Sequence, residues 1–149
     1  MSTDLSTLFA EQQTNVIDWH GPLYSLYDLP ATAAGVHIQF VAAASGRPQG
    51  LRLRVRGGAF QFGDVTHTDL SLWCDTAPDR FTIPIRWRAR GARSLRIWNA
   101  WRVGEVTQAW IGNAGMRVSE DEPGRLTLRC SDGEGPPDFD DLIAVVTLV

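Results

Sequence analysis

No apolar run in this sequence approaches the roughly 20 residues that a helix needs to cross a bilayer, which argues against a helical membrane protein. Its opening, Met1-Ser-Thr-Asp-Leu-Ser-Thr-Leu-Phe-Ala10, lacks the basic-then-apolar order of a secretory leader. The expected location is therefore the cytoplasm, with export that needs no leader left open. Catalytic signatures are missing as well. There is no Gly-x-Ser-x-Gly elbow, no phosphate-cradling glycine-rich loop and no His-Glu-x-x-His. His20, His37 and His67 are scattered without metal-ligand spacing, so an enzyme is the less favoured class. Cysteine is scarce: Cys74 and Cys130 stand alone, with no Cys-x-x-Cys or Cys/His spacing to suggest zinc. Each closes an alternating run, Leu70-x-Leu72-x-Cys74 and Leu126-x-Leu128-x-Cys130, which puts both sulfurs on an apolar face. In a reducing compartment they read as two small buried side chains, and a disulfide stays open only for an oxidising one.

The remaining composition is ordinary for a folded chain. Apolar residues make up 44% and charged residues 21% of 149, enough to bury one continuous core and too apolar for disorder. A formal net charge of −3 argues against nucleic acid as a partner of the whole chain. One short N-terminal helix is expected within Ser2 to about Ile17, capped by Thr3 or Asp4, with Leu5, Leu8 and Phe9 at helical spacing.

After Pro30 the pattern changes to short alternating strands separated by Gly, Pro, Asn and Asp. Val36, Ile38 and Phe40 share one face, and Leu51-Arg-Leu-Arg-Val-Arg56 alternates cleanly before Gly57-Gly58, which predicts a two-residue hairpin into Ala59–Phe62. Pro84 suggests an edge position or a bulge in the strand around Ile83 and Ile85. Glu122-Pro123-Gly124 suits a type II turn, and Leu142–Val149 is apolar on both faces, as a covered central strand would be. The spacing predicts about nine or ten strands in one all-β domain over residues 1–149: an antiparallel β-sandwich, jelly-roll-like, or a related barrel.

The sharpest local feature precedes the last strand. Asp132, Glu134, Asp138, Asp140 and Asp141 fall within Ser131-Asp-Gly-Glu-Gly-Pro-Pro-Asp-Phe-Asp-Asp141. Calcium takes about six to eight oxygens, and an acidic loop on irregular Gly/Pro backbone is a way to supply them. The spacing is not that of an EF-hand. From Ser131 to Val149 the text resembles the ending of the small bacterial calcium-mediated lectins of the fucose- and mannose-binding type, where an acidic Gly-rich loop runs into Asp-Tyr-Asn-Asp and an apolar final strand. Here Asp138-Phe-Asp-Asp141 stands in that place, Ser131 replaces an acidic ligand, Pro136 or Pro137 another, and Thr-Leu-Val149 stands where the family has its terminal Gly. The resemblance implies a β-sandwich that binds carbohydrate through calcium, with Asp138, Asp140 and Asp141 among the ligands. The competing reading is a solvated acidic gatekeeper that keeps an apolar strand from pairing with other chains.

Two further groups bear on binding. Arg52, Arg54 and Arg56 project from one strand face, and Arg86, Arg88 and Arg90 from another; if those strands are neighbours they form a basic surface, and otherwise they are solvated. Of the six tryptophans, Trp87 and Trp98 are expected in the core, while Trp73 and Trp101 are candidates to stack on a sugar ring. The expected function is a non-catalytic, calcium-assisted carbohydrate-binding module. The alternatives are a metal-free homo-oligomeric interaction protein and a small β-barrel enzyme.

Overall fold

The computed structural model describes residues 3–149. Helix α1 (Leu5–Gln12) leads into β1 (Val16–Asp18), β2 (Pro22–Tyr24), β3 (Tyr27–Leu29), β4 (Gly35–Ala43) and β5 (Gln49–Arg56). Then come β6 (Gly58–Phe62), β7 (Val65–His67), β8 (Asp69–Trp73), β9 (Arg80–Trp87) and β10 (Ser94–Val103). The chain finishes with β11 (Val106–Gln108), β12 (Gly115–Glu122), β13 (Arg125–Ser131) and β14 (Leu142–Leu148). These build an all-β antiparallel sandwich, as the alternation predicts.

The larger sheet runs β1-β2-β12-β13-β14-β4-β9-β6-β7, and the smaller runs β11-β10-β5-β8, with β3 also pairing β10. The main core lies between them, built from the inward parity of each strand: Val36, Ile38 and Phe40; Leu51, Leu53 and Val55; Leu95 and Ile97; Leu142, Ala144 and Val146. A smaller cluster, Leu5, Phe9, Ile17 and Leu23, seats α1 on β1 and β2. No described helix is long and apolar enough to cross a membrane.

The helix is shorter than the sequence suggests, and its start is held from outside. Ser2 lies outside the described residues, and Asp4 makes no side-chain cap. Instead Leu5 N–H donates to Asn113 Oδ1 at 3.1 Å and Ser6 N–H to the Gly112 carbonyl at 2.9 Å, so a distant loop satisfies the first turn. Fourteen strands replace the expected nine or ten because β1, β2, β3, β7 and β11 span three residues each, too few to show a period.

Two turn expectations separate instructively. Pro123-Gly124 does close a tight hairpin, with Glu122 opposite Arg125 and Gly124 at φ +78°. Gly57-Gly58 does not. β5 pairs β8 and β10 in the small sheet, whereas β6 pairs β7 and β9 in the large one, so the diglycine carries the chain across the sandwich. Gly57 sits at φ +75°, and a Cβ there would stand 2.3 Å from the Ala92 carbonyl oxygen. Pro84, expected at an edge or a bulge, lies in an interior strand where β9 exchanges partners: residues 80–84 face β4 and residues 85–87 face β6. A missing N–H is tolerated where one ladder stops and the next begins. β14 is central between β13 and β4, as its two apolar faces suggest.

Candidate functional site

The acidic loop closes one end of the sandwich. Asp132 is fully buried, and its Oδ2 accepts from Gln49 Nε2 at 2.8 Å and from Arg47 at 3.0 and 3.1 Å. Its Oδ1 accepts the Glu134 N–H at 3.0 Å. Asp141, also buried, accepts the Asp132 N–H at 3.0 Å. Burial pushes the Asp141 carboxyl up to about 6; the backbone hydrogen bond pulls it down, and the charges of Asp132 and Asp138 add to the rise. Asn99 Nδ2 donates to the Ser131 carbonyl at 2.8 Å, which ties β10 to the end of β13. These bonds link β5 and β10 of one sheet to the β13–β14 connection of the other.

The five acidic residues do not converge. Glu134 is exposed, and its Oε1 accepts from the Trp101 indole at 3.4 Å. Asp138 Oδ1 accepts the Asp140 N–H at 3.0 Å, turning the loop locally, and Asp140 reaches away to Arg129 at 2.9 Å. Among the described residues no group of three or more His, Cys, Asp or Glu side chains is placed to hold a metal ion. The donor set does not fit calcium: the one carboxylate at the loop's centre has both oxygens filled by N–H donors, and its neighbours point elsewhere. Arg47, Gln49 and Asn99 are the partners sequence reading missed. The available signal was parity, since Asn99 falls on the inward face with Ile97 and Trp101.

Parity also corrects Trp101. The segment Trp98-Asn-Ala-Trp-Arg102 reads as approaching a turn, but β10 continues to Val103 and Trp101 points inward, 0% exposed, with Gly133 against its ring. It offers no surface to a sugar. Trp73 is half-buried and lies over Gly50, where a Cβ would meet its ring at 2.7 Å. The Arg102 guanidinium stacks on Trp73 at 4.2 Å from the ring centroid.

Trp73 belongs to a larger surface. The registers of β8, β5 and β10 put three rows on the outer face of the small sheet: Trp73, Gly50 and Ala100; then Ser71, Arg52 and Trp98; then Asp69, Arg54 and Arg96. Trp98 projects from this side of β10 and still belongs to the buried core, as expected. It is only 1% exposed, because Trp110 stacks on it at 4.9 Å and 29°. Arg52 and Arg54 lie over the same ring at 5.7 and 5.5 Å. Trp110 itself is 42% exposed, is held at φ +60°, and donates its indole N–H to the Ser25 carbonyl at 3.0 Å.

The charges on this face are unevenly matched. Arg54 pairs Asp69 at 2.7 Å, Arg96 pairs Asp28 at 3.0 Å, and Arg102 lies 3.9 Å from Asp75. Arg52 has no carboxylate partner among the described residues, and its Nε and the Trp98 Nε1 are both buried without a hydrogen-bond partner. Buried N–H donors are normally satisfied, so these two are exceptions.

The cysteines are both free, Cys130 fully buried and Cys74 half-buried. The histidines stand apart; His37 Nδ1 meets Thr82 Oγ1 at 2.7 Å on the outer face of the large sheet. Comparison with known proteins finds no match for the chain among family models, curated proteins or solved structures.

Proposed function

We propose that this chain is a non-catalytic carbohydrate-binding module that takes its ligand on the outer face of the small sheet, not on the acidic loop. The observation that supports it is Arg52: a half-buried cation without a counter-ion, set between the Trp73–Arg102 stack and the Trp98–Trp110 stack. Indoles offer flat apolar area to the carbon face of a sugar, and arginine forks offer donors to its ring oxygens and hydroxyls. The reading needs no metal.

A glycan array probed with the intact chain tests it, followed by titration of the best binder monitored through tryptophan fluorescence. Arg52→Ala and Trp110→Ala are each expected to weaken binding at least about tenfold, the size of one well-placed contact. The melting temperature of Arg52→Ala should fall by no more than about 3 °C, whereas that of Trp110→Ala, which also uncovers Trp98, should fall further. An array on which no glycan binds the unaltered protein retires the reading.

A further inference from the structure

The two arginine rows of the sequence belong to different sheets, yet they meet. β5 carries Arg54 and Arg56 outward to its end, Gly57 turns the chain across the sandwich, and Gly58 enters the large sheet opposite Trp87 of β9. Arg88, just past β9, donates its N–H to the Gly57 carbonyl at 2.9 Å. Arg93 folds back over the Trp87 ring at 5.4 Å and donates to the Arg88 carbonyl. The result is a cleft of about 620 Å³ at the seam between sheets, lined by Arg54, Arg56, Arg88, Arg93 and Arg96, with Asp69 its one acidic residue.

Those five are drawn from a chain whose 14 basic residues are all arginines and whose net charge is −3. Asp69 answers Arg54, and Asp28 answers Arg96. Arg56, Arg88 and Arg93 have no ion pair among the described residues. Three uncompensated like charges in one concavity repel one another, and the chain supplies no carboxylate to offset them. Nothing in the core requires them, because all three side chains are exposed. What the arrangement suits is an external anion. Guanidinium forks match the oxygen edges of a tetrahedral oxyanion two bonds at a time.

We infer that this seam is an oxyanion site for a sulfate or phosphate ester, gripped chiefly by Arg56, Arg88 and Arg93. The cleft continues the ligand face directly, since Arg54 and Arg96 belong to both, so the ester would be a substituent of the saccharide held there. That last step rests on the proposed carbohydrate reading, whereas the oxyanion site itself does not.

The test uses the intact chain and inorganic sulfate and phosphate, by calorimetric titration and thermal melt at ionic strength held constant with chloride. At ten times its dissociation constant either anion should raise the melting temperature by about 4 °C. Arg56→Gln/Arg88→Gln should lose at least about tenfold in affinity and, without anion, melt no lower than the unaltered chain, because it removes repulsion. Arg88→Lys keeps the charge but loses the fork, so its affinity should drop about threefold or more, and this variant decides the matter should the double variant not fold. No shift beyond chloride, or a shift retained undiminished in the double variant or in Arg88→Lys, overturns the site. Sulfated and unsulfated forms of one oligosaccharide then separate the two readings. Tighter binding of the sulfated form, lost in the double variant, upholds both; inorganic anion binding without any saccharide binding keeps the oxyanion site and sinks the carbohydrate one.

Discussion

Asp141 is an acid in a place that disfavours its charge. An unfolded aspartate releases its proton near 3.8, whereas burial holds the folded Asp141 carboxyl protonated up to about 6. Between those two values the folded state keeps a proton that the unfolded state has lost. Stability therefore falls as pH rises from about 4 to 6 on account of this group, then levels off. Asp141→Asn removes the charge while keeping an oxygen to accept the Asp132 N–H. We expect it to flatten that part of the pH profile and to gain on the order of 2 kcal/mol at pH 7.5, read from urea midpoints. Parallel profiles for the two proteins would show that Asp141 is not the group concerned. Asp132, nine residues earlier, is held by Arg47, Gln49 and the Glu134 backbone N–H.

At the scale of elements, the crossing at Gly57 is the most constrained point. Ala at this position would need a left-handed backbone and would drive its Cβ to 2.3 Å from the Ala92 carbonyl. Gly57→Ala should cost more than about 2 kcal/mol, lowering the melting temperature by about 6 °C. Gly46→Ala, at φ +101° but with nothing within 4 Å, should cost less. Equal losses would mean that strain alone, and not the clamp of the 88–93 loop, governs the site. The same diglycine shows what the sequence could express. Alternation in Leu51–Arg56 and Ser94–Ile97 was readable, and so was Pro123-Gly124 as a tight turn. A diglycine, however, permits a hairpin and a crossing equally, since both need only positive φ. Which one forms depends on what lies opposite each strand, and that is set by chain far away.

At the scale of the whole molecule, the carboxylates of the acidic loop are dispersed, not gathered into one group. Five carboxylates close in sequence suggest a metal, but folding spends them singly: on Arg47 and Gln49, on Arg129, on Trp101 and on the loop's own backbone. Calcium at millimolar concentration, or EDTA, should therefore leave the melting temperature unchanged within about 1 °C, because no preformed oxygen cage favours the folded state. A calcium-specific rise would restore the loop as a cation site. The surface proposed in its place was half legible. Arg52, Arg54 and Arg56 were readable as one row, but Trp110 lies past the end of β11 at a positive φ, and its stacking on Trp98 exists only once the sheets have formed.

β4 occupies the middle of the large sheet, between β9 and β14. As the chain leaves the ribosome, β9 can reach β4 early, but β14 begins only at Leu142, roughly a hundred residues after β4 begins. At typical synthesis rates of about 5–20 residues per second, that leaves one edge of β4 open for about 5–20 seconds. During that interval Val36, Ile38 and Phe40 lack half of their cover, beside a row of unpaired backbone groups. Nascent chains stalled before Leu142 should thus be the form that holdase chaperones recognise, and yield in the cell should depend on how long that edge waits.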